Sequence, residues 1–248
     1  MKQQSSKTLK VGVFGKNLSL FGNRLFTVFV DNASMKPYIA FKETNSSLAT
    51  LENYDMIFKK REQKLIEHFH SDGGSEFLGV FQKYLKQEQI TVTTSNPYQP
   101  AENHRAEECI GYFKTSISEN LAQSGLPDLF SENAAAFAAQ QKRNLIDPEL
   151  EPSPGFNFGE LCVYRAGPTA SSRGKLGLFL HLCEDSLPSL QKNSYLLLDF
   201  ISLRSGILRF IRTDRIVSTD VDPNSTRTVV ENIFECLSFD KKKKKKRR

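Results

Sequence analysis

Ser71-Asp72-Gly73-Gly74-Ser75-Glu76-Phe77 opens a stretch that closes with Pro97-Tyr98-Gln99-Pro100-Ala101-Glu102-Asn103-His104-Arg105-Ala106-Glu107, and its reading decides the fold. Between the two ends, Phe77, Val80, Phe81, Tyr84 and Leu85 follow the i, i+3, i+4, i+7, i+8 spacing of one buried helix face. Ile90 to Ser95 is rich in β-branched residues and reads as a strand. Asn96, Pro97 and Pro100 break it. A second helical stripe follows at Ala106, Ile110, Phe113, Ile117 and Leu121. Asp72 is therefore expected at the end of a strand and Glu107 about a turn into a helix. Two carboxylates so placed can converge on a divalent cation, because hard cations take oxygen ligands and pair one or two carboxylates with substrate phosphates. Each carboxylate also has an ordinary reading: an Asp before two glycines is a turn residue, and a Glu early in a helix answers the macrodipole.

Working outward, Leu9–Phe14, Phe26–Asp31 and Tyr38–Phe41 read as three strands. A polar-start helix follows over Ser46–Arg61, then a strand over Leu65–His70 that leads into Asp72. Downstream, Leu126-Pro127 breaks the long helix, and an Ala-rich helix covers Ser131–Asn144. The order is three strands, helix, strand, helix, strand, helix, helix, a mixed α/β pattern. The Pro- and acid-rich run Asp147–Pro154 marks a boundary, so a first domain is expected over 1–150. Beyond it, Leu161–Tyr164, Leu178–Leu182, Tyr195–Phe200 and Ile207–Val217 predict a small all-β domain over 151–238, with Ser205-Gly206 as a hairpin turn. Arg204, Arg209, Arg212 and Arg215 gather in and around that hairpin, as a phosphate-binding face or as charges that keep an edge strand from aggregating.

The chain of 248 residues carries a net charge of +6, yet Lys241–Arg248 contribute +8, leaving −2 on the rest. The basic balance that would suggest nucleic acid thus comes from the tail, and a DNA surface on the body must come from local clustering. Like charges and nothing apolar over Lys241–Arg248 predict a disordered basic tail, bounded at 239–248, either a nuclear import signal or a non-specific polyanion binder. Cys109, Cys162, Cys183 and Cys236 are scattered and form no zinc site with His68, His70, His104 and His181. They read as reduced thiols of an intracellular protein. No signal-peptide core is present, and no apolar run is long enough to span a membrane.

The whole constellation resembles the integrase core of Copia/Ty-type LTR retrotransposons, in which Asp-Asn-Gly-Gly-Glu-Phe is followed at similar spacing by Asn-Gly-x-Ala-Glu. Here these are Asp72-Gly73-Gly74-Ser75-Glu76-Phe77 and Asn103-His104-Arg105-Ala106-Glu107. The resemblance implies an RNase H-like core with a mixed five-stranded sheet, and a metal-dependent polynucleotidyl transferase with Mg2+ or Mn2+ held by Asp72 and Glu107. Strict spacing would select Glu108, but Asn103 and Ala106 fix the register on Glu107. It further implies DNA as partner, both element ends and target, contacted by Asn103, Lys114, Arg209, Arg212 and Arg215. Homo-oligomers, an import receptor reading Lys241, Lys242, Lys243, Lys244, Lys245, Lys246, Arg247 and Arg248, and a nuclear rather than cytoplasmic location follow from the same likeness, with no membrane. The family motif Asp-(Val/Ile)-(Trp/Phe)-Gly-Pro, whose Asp is the first catalytic carboxylate, matches Gly12-Val13-Phe14-Gly15-Lys16, so Gly12 stands in the Asp position. The family's zinc module has no counterpart here. The expectation is therefore a truncated, partly degenerate relative with an incomplete triad, binding nucleic acid with weak or no catalysis. The alternatives are an active enzyme in which Asp31 or a water replaces the lost ligand, and a non-enzymatic nucleic-acid-binding module.

Overall fold

Five consecutive buried residues in Leu25–Asp31 identify β2 as an interior strand covered on both faces. The computed structural model describes residues 6–13, 18–61, 66–95, 104–149, 155–165, 174–183 and 194–245. It divides into two compact units, the first holding the chain up to Ser116 with the segment from Ala138, the second holding Ile117–Phe137 and the described chain from residue 155 onward.

In the first unit, β1 (Ser6–Val13), β2 and β3 (Pro37–Lys42) form an antiparallel meander. β4 (His68–Ser71) and β5 (Thr91–Thr94) add to β1 in parallel, giving the order β3-β2-β1-β4-β5. This is the RNase H-like arrangement. The helix expected over Ser46–Arg61 is α1 (Ser47–Tyr54), capped by Ser46 Oγ, which accepts from the Ala49 N–H at 3.2 Å. It continues as a π-helical segment over Asp55–Arg61. The next expected helix splits into a 3-10 turn, Ser75–Phe77, and α2 (Val80–Gln87), so Phe77, Phe81 and Leu85 are buried while Val80 is exposed.

One face of the sheet packs under these helices. Phe29, Tyr38, Tyr54, Phe58, Phe69 and Phe81 interlock there, mostly edge to face. The opposite face meets α3 (His104–Ser124), where Phe113 lies 6.2 Å from Phe26. The predicted stripe Ala106, Ile110, Phe113, Ile117 and Leu121 is buried throughout. α4 (Ser131–Ile146) closes on the β3 edge, with the Arg143 guanidinium donating to the Pro37 carbonyl and Lys36 paired to Asp147 at 2.9 Å.

The second unit contains an antiparallel sheet in the order β10-β6-β7-β8-β9, from β6 (Leu161–Arg165), β7 (Gly174–Cys183), β8 (Ser194–Asp199), β9 (Phe210–Thr213) and β10 (Ile216–Ser218). It is not all β. Where a hairpin turn was expected, α5 (Phe200–Arg204) intervenes. Asp199 caps its start through Oδ1, and Gly206, at φ +76, closes its end by donating to the Leu203 carbonyl. Ser205-Gly206 is therefore a helix terminus. The expected strand over Ile207–Val217 is two strands.

Part of the expected tail is helical, since α6 runs from Pro223 to Lys245, while 246–248 lie outside the described residues. Val230 is fully buried, and Phe234 meets Phe130 edge to face at 5.8 Å. A helix anchored there extends into lysines, which are good helix formers. The segment 117–137 joins this unit, and a further division between the two units falls at the end of the Asp147–Pro154 run. Among the described residues, no helix is long and apolar enough to cross a membrane.

Candidate active site

Asp72 directly follows β4, and Glu107 lies in the first turn of α3, the placement that the two sequence patterns predict. The parallel register sets Leu9 opposite Ser71, which brings Lys10 beside Asp72. Lys10 and Gly12 share one strand face by the two-residue period. That is the face covered by α3, and there the Lys10 ammonium meets Glu107 Oε1 at 2.6 Å. The pair is partly solvated, at 27% and 43% side-chain exposure, so its direct contribution to stability is small.

The electrostatics follow from this layout. Burial pushes the Asp72 carboxyl up, against the Gly74 N–H and the Lys10 charge, while Glu76 and Glu107 push it further. Its Oδ1 is buried with no hydrogen-bond partner among the described residues. Glu107 moves the other way, because the hydrogen bond and charge of Lys10 hold it below the usual carboxylate range.

Gly12 is buried opposite Phe26 in the β1–β2 register. A Cβ added there would fall 2.3 Å from the Phe26 Cζ. The aromatic ring thus fills the space in which a side chain at position 12 would stand. Asp31 cannot replace it. It shares the strand face of Phe29, whose ring packs against Tyr54, Phe58 and Phe69 on the side away from α3. Its own Oδ1 accepts from the Ala33 N–H in the turn after β2.

Among the described residues, no group of three His, Cys, Asp or Glu is placed to hold a metal ion. His68 and His70 instead bridge β4 to β5 by sharing hydrogen bonds with Thr93, and His70 also reaches Ser95. Two carboxylates with an ammonium bonded to one of them are a poor donor set for a resident divalent cation.

The remaining expected site residues that are described fall on separate elements of the two units. Asn103 lies outside the described residues. Lys114 is exposed on α3, two turns beyond Glu107, about 10 Å along the axis. Arg209 lies close enough to Asp199 to help hold that carboxyl down. Burial there works upward but is outweighed by hydrogen bonds from Tyr164 and Ser202. Arg212 on β9 donates to Ser194 Oγ at 2.8 Å, and Arg215 follows in the turn before β10. Lys241–Lys245 belong to α6, and Lys246, Arg247 and Arg248 lie outside the described residues. Sequence reasoning missed Lys10. The available signal was a lysine two residues before Gly12 in an otherwise apolar strand.

The chain is 25% identical over 206 residues to the Retrovirus-related Pol polyprotein from transposon RE1 of Arabidopsis thaliana, a match covering 77% of this chain and 14% of that polyprotein. Over that stretch the chain resembles a retrovirus-related transposon polyprotein, of whose length it spans about one seventh. No family model matches this chain. Among solved structures it is similar to a simian T-cell lymphotropic virus intasome in complex with PP2A regulatory subunit B56 gamma, with TM-score 0.49, 15% identity, and coverage of 88% of this chain and 79% of that one. It is also similar to the BIV integrase catalytic core, with TM-score 0.44, 17% identity and coverage of 55% and 82%. The HTLV-2 integrase catalytic core in complex with magnesium gives TM-score 0.44, 18% identity and coverage of 56% and 84%.

Proposed function

We propose that this integrase-like protein binds DNA and has little or no phosphoryl-transfer activity. The carrying observation is at Gly12, where the motif calls for the first carboxylate and the Phe26 ring fills the space instead. An active relative uses paired metal ions about 4 Å apart to activate the attacking oxygen and stabilise the leaving one. Asp72 and Glu107 remain, but removing one member of a group that acts as a unit removes most of the activity. No step is assigned through a metal here.

DNA affinity is supported by the exposed Lys114, Arg212 and Arg215 and by the lysine run after Asp240. With the body at −2, the run supplies most of the attraction to phosphate. The same run is proposed as a nuclear import signal read by an import receptor, and self-association is proposed from the family resemblance. Magnesium enters only as the ligand of the HTLV-2 neighbour and would matter here only if the carboxylates were freed.

The test is the purified full chain with a labelled DNA end, Mg2+ or Mn2+, and a salt titration. The expected result is binding that weakens as salt rises, with no cleavage or joining. Deleting Lys241–Arg248 should flatten the slope of log K against log salt by about 0.9 for each phosphate that the shortened chain no longer neutralises. Metal-dependent cleavage that disappears in Asp72→Asn would overturn the proposal.

A further inference from the structure

We infer that Lys10 is the resident cation of the carboxylate site, its ammonium holding the place that a divalent metal would take beside Asp72 and Glu107. The inference rests on the reading that this chain is not a metal-dependent transferase, and it goes on to name what replaces the metal.

Three observations converge. First, the Lys10 ammonium is bonded to Glu107 Oε1 at 2.6 Å, so one oxygen of the second ligand already faces a cation. Second, the β1–β4 register sets Lys10 beside Asp72, whose carboxylate lies within range of both the Lys10 and the Glu107 charges. Third, the position that the motif assigns to the missing Asp is closed, because a Cβ at Gly12 meets three ring atoms of Phe26 between 2.3 and 2.8 Å. Phe26 is itself fully buried against Phe113 and has no open space to swing into.

A divalent cation seated between Asp72 and Glu107 would lie next to a fixed ammonium and would have to break its bond to Glu107. Like charges at contact distance, in a partly desolvated site, repel strongly. Lys10 therefore neutralises the carboxylates from within and excludes the metal. It also follows that Lys10, rather than Gly12, is the position from which a carboxylate would complete a three-carboxylate set with Asp72 and Glu107. Such an oxygen-only set is the chemistry that magnesium and manganese select.

The experiment measures Mn2+ binding to the full chain by water-proton relaxation enhancement, with the Mn2+-dependent rise in Tm as a second readout. Only saturable binding that is abolished in Asp72→Asn is counted. The wild type should show none. Lys10→Asp should bind at least about tenfold more tightly than the wild type, because the site gains a ligand and sheds an opposing charge. Its Tm should then climb with Mn2+, as any ligand specific for the folded state requires. Gly12→Asp should gain nothing.

Lys10→Met is the second variant, kept for the case in which Lys10→Asp does not fold. Freed of the ammonium, it should bind Mn2+ measurably where the wild type does not. Saturable wild-type binding, or no gain in either Lys10 variant, would overturn the inference. The two claims fail separately: DNA cleavage by the wild type would sink the proposed function, whereas saturable Mn2+ binding by a wild type that still cleaves nothing would sink only the role of Lys10.

Discussion

Adding a single methyl group at Gly12 tests the central geometric claim. In Gly12→Ala the new Cβ would lie 2.3 Å from Phe26 Cζ, 2.7 Å from Cε2 and 2.8 Å from Cε1. These separations are well inside van der Waals distance, so something must move. The ring has no exposed side toward which to move, since Phe26 is fully buried and Phe113 stands edge-on at 6.2 Å. Overpacking of this kind costs about 1–3 kcal/mol, occasionally more. Gly12→Asp should cost more than Gly12→Ala, because it adds a carboxylate beside two aromatic rings. The chain has two compact units, so a single melting curve would mix their transitions. Hydrogen exchange of the β1 and β2 amides reads the first unit by itself. The expected result is a loss of protection in Gly12→Ala that a second change, Phe26→Leu, partly restores, with a coupling of about 1 kcal/mol or more. Protection equal to wild type in Gly12→Ala, or strictly additive effects in the pair, would refute the claim that the Phe26 ring fills the space at position 12.

Three further perturbations probe the scaffold. Burial pushes the Lys42 ammonium down to about 8, against the attraction of Glu76. Between that value and the ordinary 10.5 the unfolded chain holds a proton that the folded chain has released, so stability should rise with pH across this window. Lys42→Met should abolish the rise and stabilise the protein at pH 7 by up to about 3 kcal/mol, with Thr50 still bonded to the Ser46 carbonyl; a wild-type stability flat in pH would contradict this. In the second unit, Tyr164→Phe removes the hydroxyl that donates to buried Asp199, and unfolding should show a loss of about 1–3 kcal/mol, read from β6–β8 amide exchange. Ser46→Ala removes the cap of α1 and should cost about 1 kcal/mol, visible as earlier exchange of the Ala49 amide.

The legible parts of this chain are those in which periodicity and burial agree. The α3 stripe from Ala106 to Leu121 reads directly because one helix face packs on the sheet, and that stripe fixes Glu107 at its edge. Asp72 follows because the β-branched and glycine signals bracket it. Lys10 was not legible, for a reason of topology. In Leu9-Lys10-Val11-Gly12 it reads as the polar side of an ordinary strand, but β1 is the central strand of the sheet, with β2 on one side and β4 on the other. Only the register with β4 reveals what it lies beside. The α5 turn escaped notice because Gly206 serves equally well in a hairpin and at a helix end, and the Asp199 cap becomes decisive only once its carboxylate is seen to bond Ser202. The helical tail escaped because composition speaks to the lysines alone, whereas α6 is anchored upstream by Val230 and Phe234.

The charges around Asp72 explain how such a site persists without a metal. Glu76 and Glu107 both act on Asp72 electrostatically, an arrangement that would oppose folding if left unanswered. Two lysines answer it. Lys10 bonds Glu107 and acts on Asp72, while Lys42, bonded to Thr50, attracts Glu76 at the larger cost of its own burial. In a metal-dependent enzyme that compensation arrives with the ion, and the empty site is strained. Here it is covalently part of the chain, so the fold should not depend on divalent ions at all. A chelator should leave Tm unchanged in the wild type, while in Lys10→Asp it should lower the Tm that Mn2+ had raised. A wild-type Tm that falls on chelation would mean that the carboxylates still look outward for their counter-charge, and that the lysines do not supply it.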